Sequence, residues 1–342
     1  MKKALITGIT GQDGYFLTKF LIDKGYEVHG LVRRNSQKSL GTLDYLPVEY
    51  KSQIVIHWGD ITDCFFVEKI IRENKFDEIY HLAAQSFVEL SFQNPKLTYD
   101  VNIWGTLNVV NSVKDFSPHS RMYFAATSEM FGKAIKQPQN EETPFYPRSP
   151  YGVSKLAGFW TVKNYRESYN LFMSNGILFN HESEMRGPEF VTRKISMGVV
   201  KIKLGLQEYI ELGNLDSKRD WGYAPEYVEA MWKILQHEKP DDFVIATGES
   251  HSVREFVEEA FKIVGIEIVW EGEGVNEVGK DKKNNKTIIK INPKFYRPAE
   301  VYELRGDYSK AKKELGWEPR TKFKDLVKIM VEADLKRFGI NH

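Results

Sequence analysis

Short apolar runs alternate with longer amphipathic segments along the first half of the chain. The apolar runs are A-L-I-T, Y-E-V-H-G-L-V, I-V-I-H-W, E-I-Y-H-L-A-A and M-Y-F-A-A-T. They are separated by segments that place apolar residues on one helical face, such as F-L-T-K-F-L-I-D and V-E-K-I-I-R-E-N. Strands that alternate with helices predict an α/β fold with a doubly wound, parallel, Rossmann-type sheet.

The alternation loosens near residue 180, where charged and glycine-containing stretches become frequent. The later run D-F-V-I-A-T-G-E predicts one more strand that returns to the first sheet. A polar, glycine-containing stretch at 272–290 predicts a mobile surface loop. We therefore predict a Rossmann domain and a smaller mixed α/β C-terminal domain, with boundaries at 1–178 plus a return near 222–248, and at 179–221 plus 249–342.

Composition and charge exclude several kinds of partner and site. The 342 residues include 48 Lys+Arg and 47 Asp+Glu, and the formal net charge of +1 favours neither nucleic acid nor an anionic membrane as a partner. Cys64 is the only cysteine, which excludes an intramolecular disulfide and a cysteine-cluster metal site, and no metal is expected. The N-terminal M-K-K-A-L-I soon breaks at glycine and predicts neither a signal peptide nor a membrane span, so we expect a cytoplasmic protein.

A glycine-rich turn follows the first predicted strand. Gly8, Gly11 and Gly14 have the spacing G-x-x-G-x-x-G between a strand and a helix. Glycines at these positions permit a tight turn and a close approach to a pyrophosphate, whose charge the helix N-terminus favours. The segment R-R-N-S at 33–36 follows the second strand, where guanidinium groups suit a 2′-phosphate and favour NADP over NAD. Two solvated arginines are the alternative interpretation.

Two further motifs carry groups that can move protons. Tyr151 and Lys155 lie four residues apart and share one helix face, where an ammonium group favours a phenolate over its ordinary pKa of about 10. Glu129 follows the buried run M-Y-F-A-A-T and would project at a strand's carboxyl end, where open α/β sheets bind ligands. The alternative is an exposed Y-x-x-x-K face and a solvated glutamate.

These motifs together resemble a known family. The glycine motif combined with Thr127, Tyr151 and Lys155 is similar to the extended short-chain dehydrogenases/reductases. The stretches T-S-E-M-F-G, T-P-F-Y-P-R-S-P-Y-G-V-S-K, G-I-L-F-N-H-E-S and L-G-N-L-D-S-K-R-D-W-G extend the resemblance over nearly the whole chain to the GDP-mannose 4,6-dehydratase family. The resemblance implies an NADP-binding first domain and a nucleotide-sugar-binding second domain.

The resemblance also implies a lyase that uses an internal redox cycle to eliminate water. Tyr151 would accept the C4 hydroxyl proton while a hydride passes to NADP. Lys155 would hold the tyrosine anionic, and Thr127 would form a hydrogen bond with O4. Glu129 would remove the C5 proton, which the C4 ketone makes acidic, and the hydride would return to C6 as water leaves. The implied product is GDP-4-keto-6-deoxy-mannose.

Binding residues follow from the same resemblance. The cofactor would contact Gly8, Thr10, Gly11, Gln12, Asp13, Gly14, Arg33, Asn35, Ser36, Asp60, Ile61, Leu82, Ala83, Ala84, Ser86, Tyr151, Lys155, His181 and Arg186. The GDP-sugar would contact Ser86, Glu129, Asn180, Lys194, Gly213, Asn214, Arg219, Arg297 and Glu300. For any single arginine or histidine among them, a surface or core position is the alternative.

Departures from the family pattern affect the predicted substrate and assembly. Phe87 replaces the histidine of A-A-Q-S-H-V, beside the predicted sugar pocket, so GDP-manno-heptose is an alternative substrate. Glu184 and Met185 replace residues of S-P-R-R-G in a loop near the cofactor and the family's subunit contact, so the sequence is compatible with a homodimer and with a homotetramer.

Two competing functions remain compatible with the same motifs. One is a C4 epimerase or oxidoreductase that acts on a nucleotide sugar, which needs no carboxylate base at position 129. The other is a non-catalytic nucleotide-sensing protein of the same fold, which needs no base at hydride distance from a cofactor. The presence of Glu129 together with Tyr151 and Lys155 favours the dehydratase over both.

Overall fold

The computed structural model describes residues 1–34, 36, 39–296, 299 and 301–340. Three predicted site residues lie outside the described residues: Asn35, Arg297 and Glu300. The described part forms fifteen strands: β1 Lys3–Thr7, β2 Glu27–Val32, β3 Ile54–Trp58, β4 Glu78–His81, β5 Arg121–Thr127, β6 Met173–Leu178, β7 Asn180–Glu182, β8 Ile210–Leu212, β9 Lys218–Arg219, β10 Trp221–Tyr223, β11 Asp242–Ile245, β12 His251–Ser252, β13 Ile268–Glu271, β14 Val278–Asp281 and β15 Thr287–Ile291.

Helices connect these strands through most of the chain. The same described part contains twelve α-helices: α1 Gln12–Asp23, α2 Val48–Lys51, α3 Cys64–Asn74, α4 Val88–Gln93, α5 Pro95–Tyr99, α6 Gly105–Phe116, α7 Pro150–Tyr169, α8 Val191–Lys203, α9 Ala224–Gln236, α10 Val253–Ile263, α11 Ser309–Leu315 and α12 Phe323–Arg337. As described, none of them is long and apolar enough to cross a bilayer.

Seven parallel strands form the main sheet, in the order β11-β6-β5-β4-β1-β2-β3. β1 lies between β2 and β4, with Thr7 opposite Leu31 on one side and His81 on the other. The central strands are buried on both faces, which explains why they read as short, nearly continuous apolar runs. The predicted doubly wound parallel sheet is confirmed.

Helices cover both faces of this sheet. One face packs against α3, α6 and α7, with Ile70, Val110 and Phe159 in the apolar layer. The other face packs against α1 and α9, with Leu17 and Met231 between them. Because α9 and the edge strand β11 come from the second half of the sequence, the chain returns to its first sheet after leaving it. The exact domain boundaries stay a prediction.

A second apolar core lies between α8, α10 and α12, where Val199, Phe256 and Val327 meet. A four-stranded sheet in the order β13-β14-β15-β8 contributes Ile289 to the same core. This arrangement gives the smaller α/β part of the predicted fold.

The prediction of a mobile loop at 272–290 is wrong. Within this stretch β14 and β15 form an antiparallel pair, and β15 also pairs in parallel with β8. Ile288 and Ile289 are buried, whereas many neighbouring positions are polar because the sheet has a solvent-facing side. The partner strand β8 lies far earlier in the chain, so the composition of 272–290 alone does not indicate this pairing.

Candidate active site

A deep cleft opens at the carboxyl ends of the central strands. Its volume is about 1210 Å³. Loops after β1, β4 and β5 form one side, and segments that follow β6 form the other. This edge is where open parallel sheets bind ligands. The lining includes most of the predicted binding residues: Gly8, Thr10, Gly11, Gln12, Asp13, Gly14, Leu82, Ala83, Ala84, Ser86, Thr127, Glu129, Tyr151, Lys155, Asn180, His181, Arg186, Lys194, Gly213, Asn214 and Arg219.

The glycine turn between β1 and α1 has no room for a side chain at two positions. Gly8 has a φ of 75°, and a Cβ there would lie 2.7 Å from the backbone nitrogen of Ala83. A Cβ at Gly14 would lie 2.3 Å from the carbonyl oxygen of Ile9. The amide of Gly11 donates to the carbonyl oxygen of Gly8 at 3.1 Å and closes the turn. A bare backbone at the start of a helix fits a dinucleotide pyrophosphate.

The predicted cofactor residues that follow β2 and β3 lie outside the cleft lining. Arg33 and Ser36 are exposed, beside the glycine turn because β2 is the neighbour of β1. The Asp60 carboxylate accepts hydrogen bonds from the amide and hydroxyl of Thr62, both at 2.9 Å. Ile61 is buried. The structure therefore places these four residues outside the lining of the cleft.

Thr127, Glu129 and Tyr151 meet where β5 ends and α7 begins. Thr127 is the last residue of β5, and its hydroxyl accepts a hydrogen bond from the amide of Glu129 at 3.3 Å. The side chain of Thr127 acts on Tyr151 in the direction that lowers the pKa of its phenol. All three residues are buried and line the same cleft. A phenol and a carboxylate thus face one space at the end of a central strand.

The start of α7 explains how Tyr151 reaches this position. Ser149 caps the helix by accepting a hydrogen bond from the amide of Gly152 at 3.0 Å, and Pro150 begins the helix. A Cβ on Gly152 would lie 2.8 Å from the carbonyl oxygen of Glu129. The glycine therefore lets the first turn of α7 pack directly against the turn that carries the carboxylate.

Burial dominates the proton affinity of Tyr151 and Lys155. It raises the pKa of Tyr151 to about 12, although Thr127 opposes the rise; the charge of Glu129 adds to it. Burial lowers the pKa of Lys155 to about 7, and its Nζ donates to the carbonyl oxygen of Ala125 at 2.8 Å. We expected Lys155 to bring the pKa of Tyr151 below its ordinary value. This expectation is wrong as far as the protein's side chains set the pKa, because the buried phenolate loses more solvation than the neighbouring groups restore.

Asn102 positions the loop after β4, and no sequence motif signals this role. Its side-chain oxygen accepts from the amide of Gln85 at 2.8 Å, and its side-chain nitrogen donates to the Gln85 carbonyl oxygen at 3.0 Å. The same nitrogen donates to the hydroxyl of Ser154 at 2.9 Å. The loop that carries Ala84 and Ser86 is therefore fixed to α7.

The second half supplies basic groups and aromatic rings to the cleft. Lys194 on α8 lies over the ring of Phe295 at 3.6 Å, and burial lowers its pKa. Gly213 permits this arrangement, because a Cβ there would lie 2.6 Å from the Phe295 carbonyl oxygen. Phe295 and Tyr296 line the cleft, although the sequence reasoning missed both. They follow the wrongly predicted loop, so their position depended on a sheet that was not foreseen.

Arg186 and two phenylalanines connect the two sides of the cleft. The Arg186 guanidinium lies 3.7 Å from the ring centroid of Phe190 and 3.1 Å from the carboxylate of Glu182. Phe190 in turn packs edge-on against Phe87, with ring centroids 5.8 Å apart. Phe87 and Met185, two departures from the family pattern, therefore both lie on the cleft wall.

The sequence matches the family model described as GDP-mannose 4,6 dehydratase over residues 5–330. The chain belongs to the GDP-mannose 4,6-dehydratase family. This confirms the predicted family. The GDP-mannose 4,6 dehydratase of Cricetulus griseus is 53% identical over 346 residues, covering 99% of this chain and 93% of that protein. The Homo sapiens protein of the same name is 53% identical over 344 residues, covering 99% and 92%.

Solved structures share the fold of this family member. The structure of RMD from Pseudomonas aeruginosa complexed with NADPH has a TM-score of 0.76 and covers 98% of this chain and 100% of that one. Its sequence identity is 21%, so the likeness shows the fold alone. In the part of the chain that the structure describes, no group of three or more His, Cys, Asp or Glu side chains could hold a metal ion.

Proposed function

We propose that this chain is a GDP-mannose 4,6-dehydratase, a hydro-lyase that forms GDP-4-keto-6-deoxy-mannose. One observation carries the proposal: Tyr151 and Glu129 are buried in the same cleft, beside the glycine turn. A base for the C4 hydroxyl and a base for the C5 hydrogen can therefore act on one bound sugar. Membership of the family and relatives with this name, 53% identical over nearly the full length, support the same reaction.

Each protein group has a distinct task in this reaction. Tyr151 accepts the proton of the C4 hydroxyl in its phenolate form. Thr127 favours this form, and burial, which raises the pKa of Tyr151 to about 12, disfavours it. The chemistry supplied by a bound nicotinamide cofactor is reversible storage of the hydride. Once C4 is a ketone, the C5 hydrogen is acidic, so Glu129 removes it and delivers a proton to the departing C6 hydroxyl. C6 then regains the stored hydride and C5 regains a proton, which gives the 4-keto-6-deoxy product. An epimerase has no elimination step and needs no carboxylate base at this position. The presence of Glu129 therefore favours a dehydratase over an epimerase.

NADP is the cofactor that we propose for the glycine turn. The glycine turn at the start of α1 suits a pyrophosphate, and the exposed Arg33 and Arg34 follow the neighbouring strand β2, within the region where a 2′-phosphate would lie. Calorimetric titration of the protein with NADP and with NAD tests the choice. We expect tighter binding of NADP, and equal affinities would contradict it.

The substrate is tested by separate incubation with GDP-mannose and GDP-manno-heptose, without added oxidant or reductant. Mass spectrometry should show loss of one water from GDP-mannose. If only GDP-manno-heptose loses water, the heptose and not GDP-mannose is the substrate. Isomerisation without water loss would indicate an epimerase. Conversion of neither sugar would contradict the proposed function. Phe87→His in the same assay reports whether the ring that packs on Phe190 affects the choice of sugar.

A homodimer is the assembly that we propose, with a homotetramer as the alternative. Leu97 and Trp104 lie seven residues apart on the helical segment around α5, and Val153 and Trp160 lie seven apart on the adjacent α7. All four are exposed, and such spacing places each pair on one helix face. Sedimentation analysis should show a dimer that Trp160→Glu weakens. The expected cytoplasmic location stays a prediction.

A further inference from the structure

Gln12 and Asp13 of the glycine turn contact β7 on the other side of the cleft. Gln12 Nε2 donates to the carbonyl oxygen of His181 at 3.0 Å, and Ser183 Oγ donates to Gln12 Oε1 at 2.8 Å. The carboxylate Oδ2 of Asp13 lies 2.9 Å from His181 Nε2. β7 also carries Asn180, a predicted substrate contact. This cluster therefore joins the cofactor side of the cleft to the substrate side.

The hydrogen bonds of His181 require a proton on both ring nitrogens. Nδ1 lies 2.8 Å from the carbonyl oxygen of Phe179, which can only accept. Nε2 faces Oδ2 of Asp13, and the other carboxylate oxygen, Oδ1, accepts from Gln12 Nε2 at 3.1 Å. An ionised carboxylate offers only acceptors, so Nε2 must donate as well. The arrangement is that of an imidazolium paired with a carboxylate.

The surroundings make the charge of each partner depend on the other. His181 is 9% exposed, and its ring stacks on Tyr227 of α9 at 4.6 Å. Burial alone would lower the pKa of His181, but Asp13 raises it above its ordinary value. Burial alone would likewise raise the pKa of Asp13, but His181 lowers it. A buried charge that loses its partner is strongly destabilising, so neither residue is readily replaced alone.

Other charged groups act on this pair from several elements. Arg186, which follows β7, opposes the charge of His181 and supports that of Asp13. The negative charge of Asp13 favours the protonated form of Lys155, which lies on α7. The Asp13 carboxylate also acts on Tyr123 and Tyr151, where it raises the pKa of each phenol. The imidazolium is therefore maintained chiefly by Asp13, since Arg186 works against it.

We propose that Asp13 and His181 form a fixed ion pair that positions the glycine turn against β7, so that His181 supports cofactor binding through Asp13. His181 is then a positioning residue that aligns the pyrophosphate-binding turn with the strand of Asn180. The consequence for the cofactor rests on the proposed function, whereas the ion pair itself does not.

Nitrogen NMR of protein with ¹⁵N-labelled histidine tests the pair without cofactor or substrate. At pH 7.5 one histidine should show both ring nitrogens in the imidazolium range, and His181→Gln should remove that signal. In Asp13→Asn the same ring should become neutral, because the lost carboxylate no longer raises its pKa. His119→Gln, at an exposed position, is the assignment control. A neutral His181 in the unmodified protein would overturn the proposal.

The positioning role is tested by titrating NADP across a pH series. Asp13→Asn and His181→Gln should each weaken binding by on the order of tenfold, and the double variant should lose no more than either alone. In the unmodified protein, affinity should fall at alkaline pH as His181 loses its proton. Asp13→Asn should shift this fall to lower pH. Additive losses, or an unchanged pH profile, would contradict the positioning role.

These outcomes are distinguishable from failure of the proposed function. If GDP-mannose is not converted but the NMR shows the imidazolium, only the assigned reaction is refuted. If GDP-mannose is converted while His181 is neutral, only the ion pair is refuted. Circular dichroism of each variant separates a local effect from loss of the fold.

Discussion

The glycine turn and the four-stranded sheet lie in the two halves of the molecule, and their folds depend on different kinds of information. In the turn, a Cβ at Gly14 would meet the nearby Ile9, whereas a Cβ at Gly8 would meet Ala83, which follows β4 much later in the chain. In the small sheet, β15 finds its place by pairing with β8, far earlier in the chain. Both regions therefore depend on contacts between distant residues, but the turn carries a glycine motif that is visible in the sequence, whereas the pairing of β15 with β8 leaves no such motif.

The largest expected effect comes from Glu129, where the two sides meet. Glu129→Gln keeps the shape of the side chain but removes the base for the C5 proton, so formation of the 4-keto-6-deoxy product should fall by about 10²–10⁴-fold. Binding of NADP should persist, because the glycine turn is unchanged. Product is quantified by mass spectrometry. The control is Glu273→Gln, at an exposed position of the small-sheet region; an active Glu129→Gln enzyme would refute the elimination mechanism.

Gly8→Ala and Gly265→Ala compare the two halves at matched backbone geometry. Both glycines have a φ of 75°, but a Cβ at Gly8 would lie 2.7 Å from Ala83, whereas nothing lies within 4 Å at Gly265. Gly8→Ala should abolish measurable NADP binding in calorimetry. Gly265→Ala should cost only about 1 kcal/mol of unfolding free energy and leave binding intact. Similar effects at both sites would show that the turn is not sterically specified.

Ile289→Ala examines the long-range pairing directly. Ile289 is fully buried in β15, so its truncation should lower the unfolding free energy by about 2–5 kcal/mol in urea denaturation. Ile268→Ala, at a half-buried position of the edge strand β13, should cost less. Equal and small effects would indicate that the region behaves as the loop that its polar composition suggests.

The smallest expected effect is a pH dependence at Asp220, which joins the two halves. Its carboxylate accepts hydrogen bonds from the backbone of Thr247, Gly248 and Gly306. Burial raises its pKa from 3.8 to about 6 despite these bonds. The folded state therefore binds this proton more tightly than the unfolded state, and stability should fall as pH rises between about 4 and 6.

Asp220→Asn should remove that slope, because the amide does not titrate. Urea denaturation at several pH values in this window measures it, with Asp216→Asn, an exposed carboxylate on the same segment, as the control. A slope that survives in Asp220→Asn would assign it to another group.

The apolar pattern predicted the main sheet and the position of Glu129 at a strand's carboxyl end. The meeting of Thr127, Glu129 and Tyr151 was implied by the family resemblance. The sequence could not predict Asn102, whose contacts with the loop after β4 require knowledge of helix packing. The spacing of Tyr151 and Lys155 also led to the wrong direction for the pKa of Tyr151. Spacing shows which groups are near one another, but the solvation that burial removes depends on everything packed around them.

Because the chain returns to its first sheet, the protein cannot be divided into its two parts by one cut in the sequence. A fragment that ends at residue 178 would lack β11 and α9, and would expose the open edge of β6 together with the apolar side of α1. Exchanging substrate specificity with a relative therefore requires at least three junctions, one after β6 and one on each side of the α9–β11 segment. A single crossover would separate a strand from the sheet that it completes.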